Sequence, residues 1–242
     1  MNKNLEVYIS QKQLALNEEK CKYLIMSNKN PTQHNNLILK GKSLERVIEF
    51  SYLGLIIDQK LKFKGLFNYT YQSCIKKLIN INRKRKYLTE EITFSLINAI
   101  VFSILNYGIE IYYHHLNNEE QIKLENLFDF SLKIINSESK HTIKEKYKIL
   151  NVEERFKYFA VKWINKHTCN NNQQNIFIKN EKKYETRNTN AFKHFNFKKL
   201  AGVNSMFNKG LKEYHLIIPK IKKTNNESDF KKSLKRTILE LN

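Results

Sequence analysis

The chain has 242 residues, enough for one large domain or two small ones with packed cores. Hydrophobic residues make up 41% of it, and its 13 Tyr and 15 Phe exclude wholesale disorder. The 43 Lys and Arg residues exceed the 23 Asp and Glu residues, which gives a formal net charge of +20. Such a surplus favours a polyanionic partner: RNA, DNA or an acidic membrane surface. A composition rich in Lys and Asn also arises from an AT-rich coding sequence, so charge alone does not decide the function class.

The cysteines bear on the cellular compartment. Cys21, Cys74 and Cys169 are odd in number, far apart and without a CxxC pair. We therefore expect free thiols in a reducing compartment, which places the chain inside the cell, in the nucleus or cytoplasm. Met1 leads directly into polar, mixed-charge sequence, which is not the pattern of a signal peptide.

One segment, residues 92–113, is apolar enough to resemble a membrane span. On a helix at ~100° per residue its polar positions fall within an arc of roughly 140°. A single polar stripe on an otherwise apolar helix indicates the middle of a soluble bundle, with Gly108 as a weak point. We therefore predict no membrane partner. The polar positions are Ser95, Asn98, Ser103, Asn106 and Glu110.

The first 60 residues have the pattern of a small α+β unit. Residues 23–26 are predicted to form a short strand, and the apolar runs 37–39 and 44–47 flank Gly41 as a hairpin does. Residues 50–57 are predicted to form one further strand.

Residues 61–169 show helical periodicity. Apolar residues at i, i+3, i+4 and i+7 predict the first helix, and the segment 92–113 is the second. Asn118, with Gln121 three residues later, is predicted to cap the third helix. Residues 170–242 are predicted to be a linker and a basic C-terminal tail, which ends in an amphipathic segment, 230–241. The predicted fold class is mainly α: a small α+β part with short strands, a helical bundle, and a partly ordered tail. The periodic residues of the first and last bundle helices are Tyr71, Cys74, Ile75 and Leu78, then Val152, Phe156, Phe159, Ala160 and Trp163.

The familiar catalytic patterns are missing from the sequence. There are three aspartates, Asp58, Asp129 and Asp229, all distant from one another, whereas two-metal enzymes need clustered carboxylates. The motifs GxxxxGK[ST], HExxH and GxSxG do not occur. Adjacent His114 and His115 point in different directions, so we interpret them as surface residues rather than metal ligands.

Four short elements stand in a fixed order along the chain. The first is Leu14-x-Leu16-Asn17-x-x-Lys20, followed by an apolar strand. The second, residues 50–58, reads Phe-Ser-Tyr-Leu-Gly-Leu-Ile-Ile-Asp and continues with Leu61-x-Phe63. The third, residues 105–108, reads Leu-Asn-Tyr-Gly, and the last combines Pro219 with Phe-Lys-Lys-Ser-Leu-Lys at 230–235. In order and spacing they resemble reverse transcriptases of non-LTR retrotransposons of the jockey type. Cys21 stands where that family usually has Thr, and His215 where Trp is common.

The resemblance implies a part of an RNA-directed DNA polymerase that grips primer and template but does not catalyse. Residues 1–60 would be the end of the palm, 61–169 the thumb and 170–242 the tail, with the catalytic aspartates upstream of Met1. The implied partners are an RNA template, a DNA primer and the missing N-terminal half of the polymerase. No cofactor is implied for this chain, because Mg²⁺ would be bound only in the complete polymerase.

The resemblance also suggests roles for individual residues. Lys20 matches the lysine proposed to donate a proton to departing pyrophosphate, the alternative being an ordinary exposed lysine. Tyr52, Leu53 and Gly54 match the primer grip, the alternative being a core strand with a bulge.

The densest basic cluster lies in and just after the first thumb-like helix. The resemblance implies that it follows the phosphates of a duplex, whereas a charge run is otherwise a solvated face. Arg187, Lys198 and Lys199 are weaker candidates in the tail. Two other readings of the whole chain stay open: a stand-alone basic helical protein that binds RNA or DNA, and a decayed transposon product without a selected function. The cluster consists of Lys76, Lys77, Arg83, Lys84, Arg85 and Lys86.

Overall fold

The computed structural model describes residues 8, 11–12, 17, 20–26, 37–39, 41–136, 139–169, 200–221 and 226–241. The chain divides into two compact units, Met1–Gly65 and Leu66–Asn242. Short strands characterise the N-terminal unit and helices the C-terminal unit. The predicted fold class, mainly α with a small strand-containing part, is confirmed.

Six short strands of the N-terminal unit form three two-stranded sheets within the described residues. A parallel pair joins the first and fourth strands, and an ion pair between Lys22 and Glu45 at 2.8 Å closes its end. The predicted hairpin around Gly41 forms, with Gly41 at φ +81°, although it is shorter than expected. The strands are Lys22–Leu24 (β1), Ile38–Leu39 (β2), Lys42–Ser43 (β3), Glu45–Val47 (β4), Glu49–Tyr52 (β5) and Leu55–Asp58 (β6).

The prediction of one strand over residues 50–57 is wrong. The segment is an antiparallel hairpin, in which β5 and β6 pair from Glu49 with Asp58 up to Tyr52 with Leu55. Leu53 and Gly54 form the two-residue turn at φ 48° and 80°. Positive φ at both central positions is the geometry of the tightest hairpins, which usually place Asn or Gly there. Because Leu occupies the first of these positions, the residue types do not predict the turn.

The C-terminal unit consists of helices. In α1, Cys74 and Leu78 are fully buried, in agreement with the periodicity of the sequence. The 3₁₀ turns Arg85–Tyr87, Tyr113–His115 and Ile218–Lys220 follow α1, α4 and α9. The α-helices are Lys64–Lys84 (α1), Glu90–Leu96 (α2), Ser103–Asn106 (α3), Ile109–Tyr112 (α4), Asn118–Ile135 (α5), Lys140–Tyr147 (α6), Val152–Cys169 (α7), Leu200–Val203 (α8), Met206–Ile217 (α9) and Glu227–Glu240 (α10).

The predicted helix 92–113 is present but interrupted. A π-helical turn, Ile97–Phe102, joins α2 to α3, and Gly108 at φ 69° separates α3 from α4, as its predicted weakness suggests. None of the described helices is by itself long and apolar enough to cross a bilayer. Glu90–Asn106 and Ile109–His115, which are bent by 41° relative to each other, reach the length and apolar composition of a membrane span only when taken together.

The cap of α5 differs from the prediction by one residue. Asn117, not Asn118, is the N-cap, and its side chain accepts from the amide of Glu120, whose carboxylate accepts from the amide of Asn117. Gln121 instead donates to the carbonyls of Tyr113 and Leu116. Asn117 and Asn118 both suit the position, and only the reciprocal bond to Glu120 decides between them.

The last two helices belong to the core of the C-terminal unit. Leu211, Leu234 and Ile238 are buried with Val161 and Ile164 of α7 in one apolar cluster. The backbones of α7 and α9 approach closely, because a Cβ on Gly210 would lie 3.0 Å from Cβ of Ala160. The α9 and α10 residues of the predicted tail thus pack against α7, whereas the predicted linker at 170–174 lies outside the described residues.

Candidate nucleic-acid interface

The tip of the β5–β6 hairpin presents apolar side chains to solvent. Tyr52 is 58% exposed and Leu53 74% exposed. The alternative interpretation as a core strand with a bulge does not agree with this exposure or with the two-residue turn. The left-handed backbone conformation of Leu53 carries a strain of about 1 kcal/mol that Gly would not have. An exposed Leu thus occupies a position where Gly is the ordinary residue.

Asp58 holds the end of the same hairpin. Its carboxylate accepts from the amides of Lys60 at 2.9 Å, Lys62 at 3.2 Å and Phe63 at 2.6 Å. These three bonds support a loop in which Leu61 and Phe63 have positive φ. The aspartate that closes the family-like segment thus has a structural role in this chain.

Lys20 lies just before β1 and is exposed. Its amide donates to Oδ1 of Asn17 at 3.1 Å, and the thiol of Cys21 donates to the carbonyl of Asn17 at 3.2 Å. Among the described residues no carboxylate pairs with the Lys20 ammonium, and no hydrogen bond joins it to the hairpin tip. Leu14 and Leu16, which precede it in the family-like element, lie outside the described residues.

Helix α1 carries one continuous basic face. Its 21 residues include no acidic side chain. Lys76, Arg83 and Lys84 are exposed and Lys77 is half-buried. At ~100° per residue these four fall within an arc of roughly 120°, beside the buried side of the helix. The structure therefore brings four of the six predicted cluster residues onto one surface.

An exposed tyrosine extends this face. Tyr69 is 60% exposed and lies seven residues before Lys76, which in turn lies seven residues before Arg83. Side chains at this spacing lie within about 20° of one another around the helix. The spacing was visible in the sequence, but the exposure that distinguishes Tyr69 from a core tyrosine was not. We call Tyr69, Lys76, Lys77, Arg83 and Lys84 the α1 basic face.

Arg85 and Lys86 follow the helix and have different surroundings. Arg85 turns inward: its Nε donates to the carbonyl of Ile134 at 2.7 Å, Nη2 to that of Ile135 at 2.7 Å, and Nη1 to that of Leu88 at 2.8 Å. A cation at the last carbonyls of α5 also complements the helix dipole. Arg85 is thus a structural arginine, whereas exposed Lys86 lies 4.8 Å from the ring centre of Tyr87.

The three aspartates lie in separate elements, each in a local structural role. Asp129 of α5 forms an ion pair with Lys140, and Asp229 of α10 forms a reciprocal cap with Asn226. Within the described residues no group of three His, Cys, Asp or Glu side chains is arranged to hold a metal ion.

His114 is half-buried rather than a fully exposed surface residue. Its ring packs edge-on against Phe156, with 4.3 Å between ring centres. Burial, followed by the charge of Lys209, lowers the pKa of His114 to about 4. The side chain is therefore a neutral packing residue at physiological pH.

A second basic surface, which the sequence analysis did not predict, lies between α6 and α10. The groove has a volume of about 850 Å³. Two of its basic side chains contact a carboxylate on their own helix, His141 that of Glu145 and Arg236 that of Glu240. Lys148 and Lys235, by contrast, pair with no carboxylate of the described residues. Arg187, Lys198 and Lys199 lie outside the described residues. The lining residues are His141, Lys144, Glu145, Lys148, Lys232, Lys235, Arg236, Leu239 and Glu240.

Comparisons of this chain with models of protein families, with curated protein sequences and with solved structures give no match.

Proposed function

We propose that the chain is the palm end, thumb and tail of a jockey-type non-LTR retrotransposon reverse transcriptase, and that its own contribution is to hold nucleic acid. The observation that carries the proposal is the α1 basic face, with four cations, an exposed tyrosine and no acid on the same helix. The order of the four family-like sequence elements supports the assignment to this class of polymerase.

The α1 basic face suits a phosphate backbone rather than a particular base sequence. Cations on one side of a straight helix bind successive phosphates and release counterions, so binding is steep in salt and tolerant of sequence. A tyrosine among them adds a flat ring on which a base can stack. The partner that fits is an RNA–DNA or DNA duplex with a single-stranded extension, as a primer on its template has.

The hairpin tip of the N-terminal unit is the proposed second contact. Tyr52 and Leu53 project from a tight turn whose base Asp58 holds through three amides. A rigid turn with exposed apolar side chains suits contact with the sugars and bases at a primer end. In the complete polymerase, with its Mg²⁺ ions, exposed Lys20 would supply a proton to the leaving pyrophosphate.

The test is binding of the full chain to an RNA template annealed to a DNA primer. The variant Lys76→Ala/Lys77→Ala/Arg83→Ala/Lys84→Ala should bind at least about tenfold more weakly near physiological salt, because four phosphate contacts are lost. The control removes four exposed lysines elsewhere, at Lys123, Lys133, Lys166 and Lys212, and has the same net charge. Equal losses in the two variants would show that only net charge acts and would contradict the assigned surface.

A stand-alone RNA- or DNA-binding protein is the second candidate. The observation that favours it is the closed apolar core that α7, α9 and α10 form within the C-terminal unit. Adding the upstream half of a related polymerase, with its catalytic aspartates, to this chain separates the candidates. Restored primer extension with Mg²⁺ supports the polymerase assignment, and binding without restored extension supports the stand-alone protein.

A further inference from the structure

A cleft in the C-terminal unit is lined by three cations from three places in the sequence. Lys148 follows α6, Arg155 lies on α7, and Lys235 lies on α10. The volume of the cleft is about 190 Å³, and no Asp or Glu is among the described residues that line it. Lys148 and Lys235 also line the α6–α10 groove, so cleft and groove adjoin.

Arg155 is the buried member of the three. It is only 6% exposed, and its guanidinium carbon lies 4.1 Å from the ring centre of Phe102 and 5.8 Å from that of Phe128. Nη1 donates to Oδ1 of Asn106 at 2.9 Å, whereas Nε is buried and has no acceptor. Burial lowers the pKa of Arg155 to about 10. The charge of Arg155 is therefore costly to bury, and an anion bound in the cleft would offset that cost.

The neighbouring carboxylates do not neutralise the cleft. Glu154 and Glu125 raise the pKa of Arg155, but neither lines the cleft. Glu154 accepts from Nζ of Lys144 at 2.7 Å and from the amide of Asn151 at 2.7 Å. Its negative charge is thus shared with other donors.

Lys235 is half-buried beside like charges. Its pKa is lowered, first by burial and then by the charges of Arg155 and Lys148. Among the described residues Lys148 and Lys235 pair with no carboxylate, and they lie close enough to Arg155 to repel it, so a bound anion would relieve this repulsion. Two neutral side chains, exposed Asn98 and half-buried Tyr158, also line the cleft, and neither forms a hydrogen bond within the described residues.

We propose that this cleft binds a phosphate group, with Arg155, Lys148 and Lys235 as cationic donors and Asn98 and Tyr158 as neutral ones. The size of the cleft agrees with a small anion, since drug-sized ligands occupy about 300–1,000 Å³. The phosphate comes either from a free ion or from a strand lying in the adjoining groove. The proposal does not depend on the α1 basic face, so the two fail separately.

The test is thermal unfolding of the full chain in inorganic phosphate and in chloride at equal ionic strength. The Tm of the wild type should rise saturably with phosphate alone. Lys235→Met should raise the Tm without phosphate, because a repulsion is removed, and should weaken phosphate binding about tenfold or more. Lys212→Met, an exposed lysine of α9 outside the cleft, should leave the phosphate response unchanged.

Lys148→Gly is a second variant that keeps the fold. Lys148 ends α6 at φ 49°, where Gly is the preferred residue, so the substitution should raise stability while it weakens phosphate binding. The proposal is overturned if the Tm of the wild type shows no saturable rise with phosphate. It is also overturned if Lys235→Met and Lys148→Gly show the same rise in Tm as the wild type, because phosphate would then bind as an adventitious ion only.

A single-stranded oligonucleotide separates the two sources of the phosphate group. If Lys235→Met weakens both phosphate and oligonucleotide binding, the cleft holds a phosphate of a strand. If it weakens phosphate binding alone, the cleft holds a free ion. If Lys235→Met leaves both phosphate binding and oligonucleotide binding unchanged, the proposal is contradicted.

Discussion

At the scale of single residues, Arg85 shows how neighbours in a charge run take different roles. Its three donating nitrogens bond carbonyls of Leu88, Ile134 and Ile135, whereas Arg83 points to solvent. We expect Arg85→Ala to lower the free energy of unfolding by about 2–3 kcal/mol, because the half-buried carbonyls lose charged donors. Its nucleic-acid affinity, measured well below its Tm, should stay unchanged.

Arg83→Ala is the matched substitution. Urea unfolding should show a change within about 0.5 kcal/mol, and binding titrations should show weaker affinity. A fall in affinity for Arg85→Ala as large as that for Arg83→Ala would contradict the structural role of Arg85.

Glu90, at the start of α2, joins three elements through one carboxylate. It accepts from Asn136 after α5 and from Lys146 and Tyr147 of α6, each at 2.7 Å. The hydrogen bond from Lys146, with those from Tyr147 and Asn136, lowers its pKa from 4.5 to about 2. The folded chain therefore favours the ionised carboxylate more than the unfolded chain does.

The stability from Glu90 is thus fully present above pH 4.5 and is lost as the pH falls towards about 2. We expect Glu90→Gln to lower stability near neutral pH and to flatten the acid dependence of urea unfolding within this window. The neighbouring exposed Glu91→Gln serves as the control. An acid dependence that is the same in Glu90→Gln as in the wild type would show that Glu90 is not the responsible group.

At the scale of elements, the β5–β6 hairpin separates stability from binding. The backbone of Leu53 has a conformation that Gly adopts without strain. We therefore expect Leu53→Gly to raise the free energy of unfolding of the N-terminal unit by about 0.5–1 kcal/mol, which is seen as a higher Tm. The same substitution removes a side chain that is 74% exposed, and primer–template affinity should fall. Gly54→Ala, at φ 80°, should lower stability. Unchanged affinity of Leu53→Gly would exclude the tip from the interface.

The elements that local periodicity determines could be predicted from the sequence. The buried stripe of α1, the weak point at Gly108 and the amphipathic last helix all follow from residue spacing, which fixes the face that a helix buries. The β5–β6 turn could not be predicted, because Leu53 is not a residue that marks a left-handed turn.

The parts of the site that depend on distant contacts could not be predicted either. Arg85 bonds carbonyls 49 and 50 residues away, and the phosphate cleft unites Lys148 and Arg155 with Lys235 of another helix. Residue spacing carries no information about such pairs. The α1 basic face is the opposite case, since its residues share one helix and the sequence placed most of them together.

At the scale of the whole molecule, the net charge of +20 is distributed unevenly. Helix α1 has cations and no acid, whereas α7 and α10 also carry acids and form ion pairs within the helix, as in Lys157 with Glu153 and Lys231 with Glu227. Composition bias alone would add lysines without regard to the face of a helix. The cations of the α1 basic face, which form no ion pair within the described residues, are therefore the part of the charge that we assign to binding a primer–template.

The most direct test of this account is the salt dependence of primer–template binding. The logarithm of the association constant should fall linearly with the logarithm of KCl concentration between about 50 and 200 mM. In the variant that lacks the four α1 cations, the slope should be shallower than in the wild type by about 3–4, because each phosphate contact contributes about 0.9. The variant that lacks four lysines elsewhere should keep nearly the wild-type slope. If the wild type and the α1 variant show the same slope, the chain does not hold nucleic acid through this helix.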